Sequence, residues 1–159
     1  MSLTKKSSKP DSQNAITLLR ADHQKVTDLF ENFEKSRATA KKKVIAQEIC
    51  KELTVHATIE EEIFYPAAKA ALDDTEMVPE ALVEHDGVKK LIAEIEGSAE
   101  GEMFEARVKV LSELIKHHVK EEQTELFPAV KKTSLDLTAL GAQLVARKTE
   151  LLEELTIPA

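Results

Sequence analysis

An internal repeat constrains this chain more than any other feature, because two related halves should fold in related ways. When the sequence is shifted by 62 residues, the segment ADHQKVTDLFENFE aligns without a gap with VEHDGVKKLIAEIE. Farther along, HATIEEEIFYP falls on HVKEEQTELFP in the same register. The matched positions are His23 with His85, His56 with His118, Glu60 with Glu122, Tyr65 with Phe127 and Pro66 with Pro128. Repeats of this length indicate two similar structural units that pack on each other.

Both halves show the apolar spacing of an α-helix. In the first half, Ile16, Leu19, Val26 and Phe30 are separated by three, seven and four positions, which places them on one helix face. No window shows sustained period-two alternation, so we expect no β-sheet. The pattern predicts an all-α protein, an antiparallel up-down four-helix bundle to which each half contributes one helical hairpin.

The predicted bundle covers residues 12–132, with its hairpins over residues 12–73 and 75–132. Residues 1–11 are polar and rich in Ser and Lys, which predicts a disordered lead. A further leucine-rich amphipathic segment predicts an accessory C-terminal helix over residues 134–157. That helix either docks on the bundle, which we favour, or joins two chains. The protein is therefore predicted to be a monomer or a weak homodimer formed through the C-terminal helix.

Each hairpin carries one histidine on its first helix and a His-x-x-x-Glu pair on its second. Residues four apart lie one turn apart on the same helix face, so His56 and Glu60 point to the same side. These positions continue the apolar face, and a buried carboxylate is costly unless it is paired or coordinated. The candidate metal ligands are His23, His56, Glu60, His85, His118 and Glu122.

Imidazole and carboxylate ligands without a thiolate favour iron, with zinc or manganese as less favoured occupants. Six protein ligands exceed what one tetrahedral zinc ion takes. Two metal ions fit better, each with two histidines and both glutamates bridging. We therefore predict two irons per chain, joined by an oxo or hydroxo bridge, with room for a small ligand. Cys50 is the only cysteine, so neither a disulfide nor a cysteine cluster is available.

Four further residues are candidates for roles around the centre. Glu61 could hold a histidine in orientation, and Tyr65 could pack in the core or donate a hydrogen bond to a bound ligand. Glu125 follows His118 by seven residues, so it is either an extra ligand, a proton relay or an exposed charge. Lys89 is either a lysine extended toward solvent or a cation near a bridging carboxylate, where it would disfavour a second metal ion.

Charge and hydropathy exclude some classes of partner. The formal net charge is −7, which disfavours nucleic acid because phosphate binding requires clustered Lys and Arg. No apolar run approaches the length that crosses a bilayer, and no apolar stretch follows the basic N-terminal residues as in a signal peptide. We therefore predict a cytoplasmic protein with no nucleic-acid or membrane partner.

Pro66 and Pro128 lie inside helical patterns, which predicts a kink or local break at each.

The motifs resemble those of the haemerythrin HHE cation-binding family. The resemblance rests on His23, on H56-x-x-x-E60 ending in FYP, on E84-H85-D86 and on H118-x-x-x-E122 ending in LFP, and covers roughly residues 12–132. It implies a four-helix bundle whose non-haem di-iron centre is held by these positions. Oxygen-carrying haemerythrins have a further histidine where this chain has Lys89, which weakens the case for reversible oxygen carriage.

Two classes of function remain open. In the first, the centre binds O2 or NO, or senses or holds iron. In the second, the protein is a di-iron enzyme acting on peroxide or NO. The ligand set is also similar to that of bacterial iron-centre repair proteins, which act under nitrosative stress and carry an additional cysteine-bearing domain. The sequence contains no motif for a dedicated substrate pocket or an electron-transfer partner, so we favour a binding protein with O2, NO or peroxide as its small ligand.

Overall fold

The computed structural model describes residues 14–73, 76–98 and 100–156, and these residues are almost entirely helical. The elements are α1 (Ala15–Lys35), α2 (Thr39–Ile59), the π-helical turn π1 (Glu60–Phe64), α3 (Tyr65–Ala71), α4 (Met77–Gly97), α5 (Gly101–Glu121), the π-helical turn π2 (Glu122–Leu126), α6 (Phe127–Lys131) and α7 (Leu137–Thr156). No strand occurs in these ranges, which confirms the all-α prediction. The predicted disordered lead, residues 1–11, lies outside the described residues.

The bundle consists of two hairpins. Helix α1 packs along α2, and α4 packs along α5. Contacts between α2 and α4 hold the two hairpins together. Asn14 caps α1, because its side-chain oxygen accepts hydrogen bonds from the backbone N–H of Ile16 at 2.8 Å and of Thr17 at 3.4 Å. Such a cap satisfies donors that the first helical turn leaves without intrahelical partners.

The core consists of two apolar clusters. One contains Phe64 and Phe127 and receives residues from both ends of the chain, including α7. The other contains Phe30, Ile49 and Leu111 and fills the opposite end of the bundle, with Cys50 buried among its members. Along α1, along α4, from α2 to π1 and from α5 to π2, a short interval that contains the buried polar residues separates one cluster from the other. The candidate ligands occupy that interval.

Two π-helical turns follow α2 and α5. In each turn a backbone N–H reaches the carbonyl five residues earlier, from Tyr65 to Glu60 and from Phe127 to Glu122. Pro66 and Pro128 are the second residues of the α-helical segments that follow. Proline lacks an N–H group and crowds the carbonyl four residues earlier, and a wider turn just before it relieves that crowding. The predicted disruption at each proline is therefore a π-helical turn.

The C-terminal helix α7 docks on the bundle, as predicted. It packs on α1, α2 and π1, and it buries Leu140 and Leu144. Burial of each leucine contributes roughly 1.5–3 kcal/mol. Two basic residues of α7 also bind this face, because Arg147 Nε lies 2.8 Å from Glu62 and Lys148 Nζ lies 2.6 Å from Asp22. Within the described ranges, none of the helices is long and apolar enough to cross a membrane.

Candidate metal centre

Four helices each bring one histidine into the polar interval of the core. His23 lies on α1, His56 on α2, His85 on α4 and His118 on α5. The two glutamates are the first residues of the two π-helical turns. All six side chains are buried, with residue exposures of 7% or less. The structure therefore brings together all six residues that the sequence pattern indicated as ligands.

Nitrogen and oxygen atoms of these side chains converge in two groups, which we call lobe A and lobe B. Lobe A consists of His23, His56, Glu60 and Glu122, and lobe B contains Glu60, His85 and His118. Within each group the candidate ligand atoms lie within 4.8 Å of one another. The candidate donors therefore form two separate sets that share the Glu60 carboxylate.

Both glutamates reach both lobes. Glu60 places Oε2 3.1 Å from Nε2 of His56 and Oε1 3.1 Å from Nε2 of His85. Glu122 places Oε1 3.1 Å from Nε2 of His23 and Oε2 3.5 Å from Nε2 of His118. Each carboxylate therefore presents one oxygen to each lobe, which is the arrangement that a bridging carboxylate requires.

The donor atoms of lobe A have no hydrogen-bond partner. They are Nε2 of His23, Nε2 of His56, Oε2 of Glu60 and Oε1 of Glu122. Although the nitrogens and oxygens are close, they lack hydrogen-bond geometry with each other. Buried polar atoms without partners are rare and costly, and four of them around one point fit a cation with two imidazole and two carboxylate ligands.

Lobe B contains a hydroxyl group that lobe A lacks. The Tyr65 hydroxyl lies 2.5 Å from Oε2 of Glu122, 3.1 Å from Oε1 of Glu60, and 3.2 and 3.3 Å from Nε2 of His85 and His118. It therefore touches every ligand group of this lobe. Burial, together with the two carboxylates, raises the pKa of Tyr65 well above its usual value, so the phenol is a protonated hydrogen-bond donor in the metal-free protein.

The repeat partner of Tyr65 is Phe127, which has no hydroxyl to offer. Its ring stacks on that of His23 with a centroid distance of 5.9 Å and an interplanar angle of 4°. The two lobes are therefore inequivalent, although the backbone around them is nearly duplicated. Lobe A is bordered by a hydrocarbon ring, whereas lobe B has a phenol at its centre.

Each histidine also binds a polar side chain through its outer nitrogen. Nδ1 of His56 lies 2.9 Å from Asp22, and Nδ1 of His118 lies 2.6 Å from Glu84. Asp22 and Glu84 are themselves repeat partners in the 62-residue alignment. A partner that accepts a hydrogen bond from Nδ1–H leaves Nε2 with its lone pair facing the centre, as metal ligation requires.

The other two histidines use the second pair of repeat partners. Nδ1 of His85 lies 2.7 Å from Glu61, and Nδ1 of His23 lies 2.8 Å from Gln123. Glu61 was considered for this orienting role from the sequence, whereas Asp22, Glu84 and Gln123 were not. The repeat itself contained the missing signal, because all four residues occupy matching positions of the two halves.

Two of the other candidates lie apart from the ligand atoms. Lys89 Nζ binds Glu61 at 2.7 Å and extends toward solvent, so the interpretation as a cation beside a bridging carboxylate is wrong. Glu61 is not a bridge, because its other oxygen holds His85. Glu125 is exposed and belongs to neither lobe, because π2 changes the helical register after Glu122.

Opposite charges control protonation in the metal-free centre. Burial favours the neutral carboxyl, but His56 and His85 outweigh it and lower the pKa of Glu60 well below its usual value. Burial likewise disfavours charged imidazoles, but Glu60 and Asp22 raise the pKa of His56 well above its usual value. Burial is also outweighed at His118, whose pKa is raised to about 9 by Glu122, Glu60 and Glu84.

A small cavity of about 20 Å³ borders the four histidines. Its remaining walls are mostly aliphatic and include Val26, Leu53, Val88, Ile115 and Val119. A cavity of this size accommodates about one water molecule. The centre therefore faces a small apolar space, which suits a ligand of two or three atoms better than a larger substrate.

Comparisons with known proteins identify the family and the fold. The sequence model of the Hemerythrin HHE cation binding domain matches residues 14–130, which confirms the resemblance read from the motifs. A solved structure of a hemerythrin HHE cation binding domain-containing protein from Mycobacterium kansasii has a TM-score of 0.75 and 24% identity, with 89% of this chain and 88% of that chain covered. At this identity the likeness concerns the fold alone.

A curated relative from Nostoc sp. is described as a DNA nickase. It is 32% identical over 130 residues, which make up 81% of this chain but only 36% of that protein. The present chain thus spans about a third of the length of this relative. The match therefore covers one segment of a much larger protein.

The pKa of His118 predicts how the stability of the metal-free protein changes with pH. This pKa is raised from 6.5 in the unfolded chain to about 9 in the folded protein. The stabilisation that charged His118 contributes is therefore complete below pH 6.5 and is lost as the pH rises through about 9. We expect a loss on the order of 3 kcal/mol over this window, measured by urea unfolding in the presence of a chelator. In the His118→Gln variant the free energy of unfolding should fall less steeply with pH. An equally steep fall in both proteins would contradict the raised pKa of His118.

Proposed function

Because the chain belongs to the haemerythrin HHE cation-binding family, we propose that it is a non-haem di-iron protein that binds a small ligand such as O2 or NO, or holds iron. The observation that supports this most strongly is the convergence of four buried, unpartnered donor atoms in lobe A. Imidazole and carboxylate donors without thiolate are suited to iron, and zinc or manganese are the less favoured occupants. A cytoplasmic location and a monomeric or weakly dimeric state belong to the same proposal.

The protein residues would divide the two irons between the lobes. His23 and His56 would hold one iron, and His85 and His118 would hold the other, with both glutamates shared. Bound iron would supply a redox-active ion with coordination positions left open for a small ligand. The orienting residues Asp22, Glu61, Glu84 and Gln123 would keep the imidazole lone pairs on the centre.

The apolar cavity supports a small ligand. Its aliphatic walls offer no hydrogen bonds to water, so a weakly polar diatomic molecule loses less by entering than water does. The histidines close the other side, and the cavity has no room for a nucleotide or a peptide. This geometry favours capture of O2 or NO, in agreement with the preference for a binding protein.

A second candidate, an enzyme acting on peroxide or NO, is favoured by Tyr65. Cleavage of an O–O bond needs a proton at the departing oxygen, and a positioned general acid provides it. The Tyr65 hydroxyl is a buried donor within hydrogen-bond distance of the lobe B ligands. A repair protein that delivers iron under oxidative or nitrosative stress is a further alternative in the same class of di-iron proteins.

Metal content tests the proposed centre directly. We expect the wild-type chain to bind about two irons when it is loaded with Fe²⁺ without oxygen, and to show optical bands that change reversibly with O2 or NO. His56→Ala removes a lobe A donor and should lower the iron content by at least half. Metal analysis and absorption spectroscopy provide both measurements.

His117→Ala is the matched control for His56→Ala, because His117 is 64% exposed and belongs to neither lobe. This variant should still bind both irons at equilibrium. A stoichiometric zinc content in protein isolated from cells grown with ample iron would argue against the iron assignment. Full iron content in His56→Ala would contradict the assignment of the ligands.

Tyr65→Phe separates the two candidate functions. If the protein is an enzyme, loss of the phenolic proton should reduce peroxide turnover on the order of a hundredfold, while the iron content is retained. If it is a binding protein, the wild type should show negligible turnover, and the substitution should change only the position of the optical bands and the ligand affinity. Peroxide consumption and ligand titration distinguish these outcomes, since a wild type that turns over peroxide at the same rate as the variant fits neither.

DNA nicking, the activity in the name of the Nostoc relative, is a third candidate that the geometry disfavours. The candidate ligands are buried, so a phosphodiester of duplex DNA could not reach them without opening the bundle. The formal charge of −7 also opposes binding to the phosphate backbone.

We therefore expect no conversion of supercoiled plasmid to the relaxed form by this chain with Mn²⁺ or Fe²⁺ under anaerobic conditions. Gel electrophoresis of the plasmid measures this. The His56→Ala variant identifies background from contaminating nucleases, because such background would be equal in both preparations. Relaxation by the wild type but not by His56→Ala would revive the nickase function for this segment.

A further inference from the structure

We propose that divalent cations reach the buried centre through an outer binding site formed by Glu84, His117 and Glu121. We call these three residues the outer site. The inference rests on the proposed function, because it concerns how that metal centre is loaded. It assigns a cation-binding role to residues that belong to neither lobe as ligands.

The three side chains converge at the surface of the second hairpin. Nε2 of His117 lies 3.2 Å from Oε2 of Glu121 and 3.5 Å from Oε2 of Glu84. One donor atom from each residue lies within 4.8 Å of the others. The side chains are 64% exposed at His117, 41% at Glu121 and 27% at Glu84, so a cation from solvent can reach them. One imidazole and two carboxylates suit a divalent first-row metal ion.

A pocket connects this surface to the buried centre. Its lining includes Glu84, Glu121 and Glu125 on the outer side and His118 and Glu122 on the inner side. Its volume of about 20 Å³ is sufficient for one water molecule or a bare cation. The Glu122 side chain is only 1% exposed, and it is one of the two shared glutamates of the centre. The pocket therefore joins Glu84 and Glu121 of the outer site to a buried candidate ligand.

Glu84 links the outer site to the centre. Its Oε2 faces His117 in the outer site, while its Oε1 lies 2.6 Å from Nδ1 of His118. Glu80 also lines the pocket, so its walls carry five carboxyl groups and one imidazole. An excess of negative charge raises the local concentration of cations and their rate of binding. Only the Glu84 side chain therefore separates a cation at the outer site from His118, a ligand of lobe B.

Among the residues that the structure describes, the first hairpin has no equivalent acidic route. The repeat partners of His117 and Glu121 are Val55 and Ile59, which are buried and cannot bind a cation. The repeat partner of Glu84 is Asp22, and Lys148 of α7 lies 2.6 Å from its carboxylate. An ammonium group at this position repels an approaching cation. The duplicated fold therefore has one side covered by α7, where Lys148 neutralises Asp22, and one open, acidic side. Loading occurs from the open side.

The test is the rate at which Co²⁺, an optical probe, fills the metal-free full-length chain. In the wild type we expect the filling rate to level off as the Co²⁺ concentration rises, because binding at the outer site precedes transfer inward. His117→Ala and Glu121→Gln should slow filling about tenfold or more at low Co²⁺ concentration and make the rate linear in concentration. The final Co²⁺ content should equal that of the wild type.

Glu102→Gln is the matched control for Glu121→Gln, because it removes the same charge at the other end of α5, about 28 Å away along the axis. It should fill at the wild-type rate. The inference is overturned if both outer-site variants fill at the wild-type rate, if Glu102→Gln slows filling equally, or if the variants lose bound Co²⁺ at equilibrium. Failure of the wild type to bind Co²⁺ at all would instead overturn the proposed metal centre.

Discussion

The structure depends on the burial of two carboxylates among four imidazoles at mid-height of a helical bundle. Glu60 and Glu122 occupy buried core positions, which helical bundles usually fill with apolar side chains. A lone carboxylate in such a position is strongly destabilising. In the metal-free chain the opposing charges on the histidines offset this cost, as the raised pKa of His118 and the lowered pKa of Glu60 indicate. Cations would replace those protons, so folding and metal binding draw on the same donor atoms.

Much of this arrangement could be predicted because the repeat relates side chains that are distant in sequence. The spacing of His56 and Glu60, and of His118 and Glu122, places each pair on one helix face. The apolar residues on either side then fix that face toward the core. Periodicity and duplication were therefore sufficient to predict the bundle and to single out six inward-facing side chains.

Other features depended on three-dimensional contacts that periodicity does not encode. The ion pair between Lys148 and Asp22 helps to determine the face of the bundle on which α7 packs. These two residues are 126 positions apart in the chain, and no repeat relates them. Glu125 was considered as an extra ligand on the assumption of an unbroken α-helix, and π2 invalidates that register. Lys89 occupies the position of a haemerythrin ligand, which left two possibilities for it, and the structure shows the lysine that extends outward to Glu61.

The π-helical turns also determine what can approach the centre. Tyr65 follows Glu60 by five residues, and in an unbroken α-helix such residues point in clearly different directions. In π1 the backbone N–H of Tyr65 binds the carbonyl of Glu60, so one residue lies above the other and the phenol reaches the carboxylate of the same turn. If the same five residues took the α-helical pitch instead, Tyr65 would lie about 140° away from Glu60 about the helix axis, and its ring would leave the Glu60 carboxylate. The position of the phenol thus depends on the number of residues in the turn as much as on the residue type.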